Sequence, residues 1–154
     1  MSKDQFKALS DYSHPAYGMA RILSDELVSI DCGMEPRLNS TELASIAAAL
    51  KGCCENIDRI AGDLEEQEAP GKPLSEPPAK TSPKTLLAKD LDEQSTPAEG
   101  LAEILFNGLV SIEADKEPTT RLSDLIQLAD SLRIHCHSLS FLASKLFNAL
   151  EGEP

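Results

Sequence analysis

The residues with the richest coordination chemistry stand at two places in the chain. Cys53 and Cys54 are adjacent, and His135, Cys136 and His137 form a second run. Thiolates and imidazoles are zinc ligands, and four of them in a tetrahedral set close a structural site. The spacing works against such a site. Neighbouring residues on a helix diverge by about 100°, so Cys53 with Cys54, or His135 with His137, do not converge on one ion. Neither a CxxC nor an HxxxH pair occurs. The expectation is that Cys54 and Cys136 are small core residues, a type commonly buried, and that the chain uses no metal and no cofactor. Gly-rich phosphate loops, GxSxG and HExxH are absent as well. The carboxylates and three histidines show no spacing that converges on a reaction centre, so no enzymatic activity is expected.

The elements that must position these residues come from a duplication. Residues 14–66 align without a gap onto 96–148 at a constant offset of 82, with 18 identities in 53 positions. Roughly one in ten is expected by chance in a chain rich in Leu and Ala. A repeat without insertions is a duplicated structural unit. Each copy reads as two amphipathic helices. The stripe Ala16, Ala20, Leu23, Leu27, Ile30 matches Ala98, Ala102, Leu105, Leu109, Ile112. A second stripe, Leu43, Ile46, Leu50, Cys53/Cys54, Ile57, Ala61, Leu64, matches Leu125, Leu128, Leu132, His135/Cys136, Leu139, Ala143, Leu146.

Punctuation sets the expected boundaries. Pro15 and Pro97 suit first helical positions, where a missing N–H costs nothing. Thr96 with Glu99 forms a capping-box pattern, and so does Asn39 with Glu42; Thr119 or Thr120 is the expected cap of the last helix. Pro36 and Pro118 end the first helix of each copy. Gly18 and Gly100 are expected to serve close helix packing. Residues 67–95 hold half the prolines and read as a flexible, Pro-rich linker. The organisation is therefore an N-terminal tail (1–13), helical hairpin A (14–66), linker (67–95) and helical hairpin B (96–150).

A lone hairpin of this size is marginal. The fold class is all-α, and two hairpins pooling their stripes make a single four-helix bundle. The alternative is that each hairpin pairs with its twin in a second chain. Within hairpin A, Leu50-Lys51-Gly52 resembles the HxLKG core of histidine phosphotransfer domains, which are four-helix bundles too. The phosphorylated histidine of that motif falls at Ala48, and Asp130 holds the matching place in hairpin B. With no imidazole there, the resemblance implies no phosphotransfer.

The chain carries a net charge of −12, divided as −6 on copy A and −5 on residues 96–154. Such a field repels nucleic acid and anionic membranes, so neither is expected as a direct partner. No apolar run spans a bilayer and no signal peptide opens the chain, so a cytoplasmic protein is expected.

Differences between the copies point to function. Phe106 replaces Ser24, Phe141 replaces Arg59, Phe147 replaces Glu65, Ile134 replaces Gly52 and His137 replaces Glu55. With Leu139 facing the core, Ile134, His137 and Phe141 all point outward on one strip of the last helix, and Phe106 borders the core or extends the strip. Exposed apolar strips mark interaction surfaces. The expected function is therefore non-catalytic: a small acidic interaction module that docks a protein partner through Ile134, His137, Phe141 and Phe106, as an inhibitor or adaptor of a bacterial or phage system. The strip also suits a homodimer contact, or a place under the linker or an N-terminal segment, where it extends the core. Two other classes are a nucleic-acid mimic, built on Asp25, Glu26, Asp58, Asp63, Glu65 and Glu66, and a small-ligand binder between the hairpins.

Overall fold

Pro15 does not begin a helix; it lies inside one. The computed structural model describes residues 3–68, 83–114 and 121–151. Helix α1 runs Lys3–Asp31, α2 Ser40–Glu68, α3 Pro83–Glu113 and α4 Leu122–Glu151. Both Pro15 and Pro97 are interior, in helices of 29 and 31 residues. An interior proline costs a helix about 3 kcal/mol. Burying a large apolar side chain returns about 1.5–3 kcal/mol. Upstream of Pro15, Phe6 and Leu9 are buried; upstream of Pro97, Ala88 and Leu91 are buried, and Leu87 packs beside them. That burial offsets the proline penalty, so each helix continues. The segment 3–13 is thus the first third of α1, and 83–95 belongs to α3. Residues 69–82, the remainder of the expected linker, lie outside the described residues, as do Pro118, Thr119 and Thr120.

The four helices form an all-α bundle. Helix α1 packs on α2 and α4, and α3 packs on the same two; among the described residues, α1 and α3 are diagonal, as are α2 and α4. Exchanging the two hairpins leaves this neighbour scheme unchanged, which is a pseudo-two-fold arrangement. The core repeats it residue by residue. In α1 the buried stripe is Phe6, Leu9, Ser13, Ala16, Ala20, Leu23 and Leu27; in α3 it is Ala88, Leu91, Ser95, Ala98, Ala102, Leu105 and Leu109. In α2 it is Leu43, Ala47, Leu50, Cys54, Ile57, Ala61 and Leu64; in α4, Leu125, Ala129, Leu132, Cys136, Leu139, Ala143 and Leu146. Every stripe position pairs with its mate at the offset of 82, and steps of three and four give the heptad pattern of long packed helices. Ile112 departs from expectation and is exposed.

The turn after α1 closes as a Schellman motif. Met34 N–H donates to Ser29 O (2.9 Å) and Gly33 N–H to Ile30 O (3.0 Å), with Gly33 at φ 69°. The capping box of α2 forms as expected: Asn39 N–H donates to Glu42 Oε2 (2.8 Å) and Glu42 N–H to Asn39 Oδ1 (2.9 Å). The Thr96–Glu99 pair does not cap, because α3 begins at Pro83; Thr96 Oγ1 donates to Asp58 Oδ1 instead (3.0 Å). Gly18 and Gly100 are exposed, with open space where a Cβ would stand, so they serve no close packing. Close packing falls on Gly108, where a Cβ would stand 2.5 Å from Leu125 Cδ2. Among the described residues no helix is long and apolar enough to cross a membrane.

Candidate functional site

The pseudo-symmetry lets each surface be read against its counterpart. On α4, Leu132, Cys136 and Leu139 face the core. The opposite face therefore presents Ile134, His137 and Phe141 to solvent; Ile134 is 61% exposed and Phe141 56%. The counterpart positions on α2 are Gly52, Glu55 and Arg59, where Lys51 pairs with Glu55 (3.6 Å) and Arg59 Nη2 donates to Asn56 Oδ1 (3.2 Å). One face of the bundle is thus a polar lattice, and its mate an apolar ridge.

His137 stands at the middle of the ridge. Its ring meets Tyr17 of α1 edge-on, with centroids 5.2 Å apart. A shallow hollow beside it, of about 240 Å³, is lined by Tyr17, Arg133, Ile134, His137 and Ser138. On the other flank a groove of about 390 Å³ runs between α3 and α4. Asp90, Glu93 and Gln94 form its α3 wall; His137, Ser138, Phe141 and Leu142 form its α4 wall. Lys145 Nζ lies over the Phe141 ring, 4.5 Å from the centroid. His135 Nδ1 and Gln94 Oε1, 2.9 Å apart, tie the two walls together.

Phe106 does not join this ridge. It is half-buried against the core, turned toward α2, with Lys51 Nζ 5.8 Å from its ring centroid. Lys51 also reaches Glu103 Oε1 (3.8 Å). The mate of this arrangement is polar: Ser24, which Phe106 replaces, donates to Asp130 Oδ1 (2.9 Å), and Arg133 Nε and Nη2 donate to the same oxygen (3.2 Å each). Of the four residues expected to form the surface, the fold assembles Ile134, His137 and Phe141 and leaves Phe106 elsewhere. Asp90, Glu93 and Gln94, which border the groove, fall in the stretch that reads as linker.

The cysteines and histidines do not gather into one site, although Cys54 and Cys136 meet in the core. Cys54 and Cys136 are both buried, Cys53 is half-buried, His135 turns to Gln94, and His137 is exposed. The touching Cys136 thiol and burial both push the Cys54 thiol up. Among the described residues, no cluster of three or more His, Cys, Asp or Glu is arranged to hold a metal ion. Nor do α2 and α4 approach within 8 Å between Cα atoms there, so Cys54 and Cys136 exceed the roughly 7 Å reach of a disulfide.

Three of the carboxylates expected for mimicry, Glu26, Asp25 and Asp58, have partners within the fold. Glu26 is buried and accepts from Arg37 N (2.9 Å) and Arg37 Nε (2.6 Å), tying the loop back onto α1. Burial alone would raise its carboxyl, but these hydrogen bonds and the guanidinium charge outweigh it and hold it below the usual range. Asp25 pairs with Arg21 (3.8 Å), and Asp58 accepts from Ser95 Oγ (2.9 Å) and Thr96 Oγ1 (3.0 Å). Asp63 is exposed, and the side chains of Glu65 and Glu66 lie outside the description.

Comparison with known protein families, curated proteins and solved structures finds no match.

Proposed function

We propose that this chain is a non-catalytic interaction module that docks a protein partner through the α4 ridge of Ile134, His137 and Phe141. The observation that carries the reading is the exposure of Ile134 and Phe141, seven residues apart on one helix face, where the other copy carries Gly52 and Arg59. Residues at this spacing stack along a helix, so a partner meets them as one anchor line. Large apolar side chains held in water gain most when a partner covers them. Small size and an acidic surface fit an inhibitor or adaptor working in the cytoplasm, of the kind bacterial and phage systems use.

The experiment is affinity capture from native extract with wild type beside Ile134→Glu/Phe141→Glu. The captured proteins are identified by mass spectrometry, and circular dichroism and light scattering check fold and mass. Both substituted residues are exposed, so the variant keeps its fold. The reading expects one partner with wild type and its loss with the folded variant. A partner retained by the variant contradicts it. A wild type that is dimeric and a variant that is monomeric would assign the ridge to self-association instead.

A further inference from the structure

The ridge is flanked by two grooves with different walls, and the wider one carries information about what it receives. In the α3/α4 groove, Asp90 and Glu93 stand one helical turn apart on one side, facing the aromatic ring of Phe141 and the aliphatic Leu142 on the other. Both carboxylates are exposed. Glu93 pairs with Lys89 of its own helix at 3.6 Å. The groove therefore pairs an acidic rim with a mixed wall whose apolar part is Phe141 and Leu142, with Lys145 Nζ lying over the Phe141 ring.

The same place in the other hairpin carries different side chains. By the offset of 82, Gln94 corresponds to Tyr12, Leu142 to Ile60, and Phe141 to Arg59. Tyr12 packs on the core and Ile60 is buried; in hairpin B, Gln94 is half-buried and Leu142, which also packs on the core, lines the groove. Asp90 replaces Ala8, which also packs on the core. Hairpin B thus carries two polar groups, Asp90 and Gln94, where hairpin A has Ala8 and Tyr12, and an exposed ring where hairpin A has Arg59, which puts space, charge and apolar surface together.

We infer that the α3/α4 groove receives a basic amphipathic helix of the partner, its apolar residues against Phe141 and Leu142 and its lysines or arginines against Asp90 and Glu93. This rests on the docking role of the ridge and names the partner's chemistry. A furrow between two antiparallel helices takes a third helix lengthwise, and apolar anchors every three or four residues match its wall. Charge complementarity sets the sign: carboxylates on a chain of net charge −12 attract a cationic segment and repel an acidic one.

The test is fluorescence anisotropy with the full chain and a labelled Leu/Lys peptide of about 18 residues, patterned as an amphipathic helix. The same composition scrambled, and a Leu/Glu helix of the same pattern, serve as comparisons. Saturable one-to-one binding of the patterned basic peptide is expected, with neither comparison binding comparably. Asp90→Asn/Glu93→Gln should weaken it about fivefold, the effect of two exposed charge contacts. Phe141→Ala should weaken it about tenfold, as for a modest aromatic anchor. Asp11→Asn/Asp63→Asn removes the same charge elsewhere and should leave it within about twofold. Equal weakening by that control pair, equal binding of the scrambled peptide, or no binding at all would overturn the inference. If any of these occurs while Ile134→Glu/Phe141→Glu still abolishes partner capture, the basic-helix chemistry fails and the docking ridge stands. If the partner survives that double variant, the ridge itself fails.

Discussion

Ser13 and Ser95 occupy the same place in the two hairpins, both fully buried, yet their hydroxyls have opposite fates. Ser95 Oγ donates to Asp58 Oδ1 at 2.9 Å, whereas Ser13 Oγ has no hydrogen-bond partner. The cause lies across the interface: the residue matching Asp58 is Ser140, whose shorter side chain offers no carboxylate. Replacing each serine by alanine separates the consequences. Both changes gain about 0.5 kcal/mol of helix propensity. Ser13→Ala also relieves a desolvated, unpaired hydroxyl, worth about 1 kcal/mol at the low end of such penalties. Ser95→Ala removes a hydrogen bond to a charged acceptor, costing about 1.5–3 kcal/mol. Ser13→Ala should therefore stabilise by about 1–1.5 kcal/mol and Ser95→Ala destabilise by about 1–2.5 kcal/mol, a spread of about 2–4 kcal/mol from one chemical change. Urea unfolding followed by circular dichroism at 222 nm reads both midpoints, and unchanged slopes keep the comparison clean. At this chain length Tm moves by about 2–4 °C per kcal/mol. Ser140→Asp should supply the missing acceptor and stabilise the protein only when Ser13 is present. Equal shifts of the same sign for the two alanine variants would refute the reasoning.

Further outcomes follow from neighbouring contrasts. Gly52→Ala and Gly100→Ala, with open space at the added Cβ, should each stabilise by about 1 kcal/mol in urea unfolding; Gly108→Ala should destabilise by about 1–2 kcal/mol because buried Leu125 must move. Glu26 and Glu99 should respond to pH in opposite ways. The folded-state value of Glu26 lies below its unfolded one, so its contribution is complete above the unfolded value of 4.5 and is lost as pH falls through the folded value. Glu26→Gln should lower the melting temperature at neutral pH, with a difference that shrinks in acid. The Glu99 carboxyl is raised by burial and by neighbouring Asp58, Glu55 and Glu103, so its charge opposes folding above that raised value. Glu99→Gln should raise the melting temperature at neutral pH, and that gain should fade in acid. Thiol titration of the native protein should modify exposed Cys32 first and Cys53 more slowly, with Cys54 and Cys136 reacting only on unfolding.

The repeat made the bundle legible, because helical stripes at a fixed offset can be satisfied by few arrangements. The boundaries were less legible. The local rule for proline places helix starts at 15 and 97, and the packing upstream overrides it. Lys7/Lys89, Leu9/Leu91 and Ser13/Ser95 continue the same offset of 82 into both segments. They were the available signal that α1 and α3 run on through their prolines. Without that signal Asp90, Glu93 and Gln94, one wall of the groove, read as linker. The outward strip of Ile134, His137 and Phe141 was readable from helical angles alone, since Leu139 fixes the core direction. Phe106 was not: at about 100° from its stripe, whether a ring stays out or tucks under Lys51 depends on the neighbouring helix. Gly18 and Gly108 show the same limit, because a glycine's role depends on what faces it across the interface.

The central claim, that a partner seats on the α4 ridge, is tested most directly by placing a photo-crosslinking amino acid at two pseudo-equivalent positions. Phe141→p-benzoylphenylalanine sits on the ridge, and Arg59→p-benzoylphenylalanine on its polar mate. Irradiation in living cells should yield one discrete adduct to a second protein from position 141 and none from position 59. No adduct from 141, or the same adduct from both, would contradict the account.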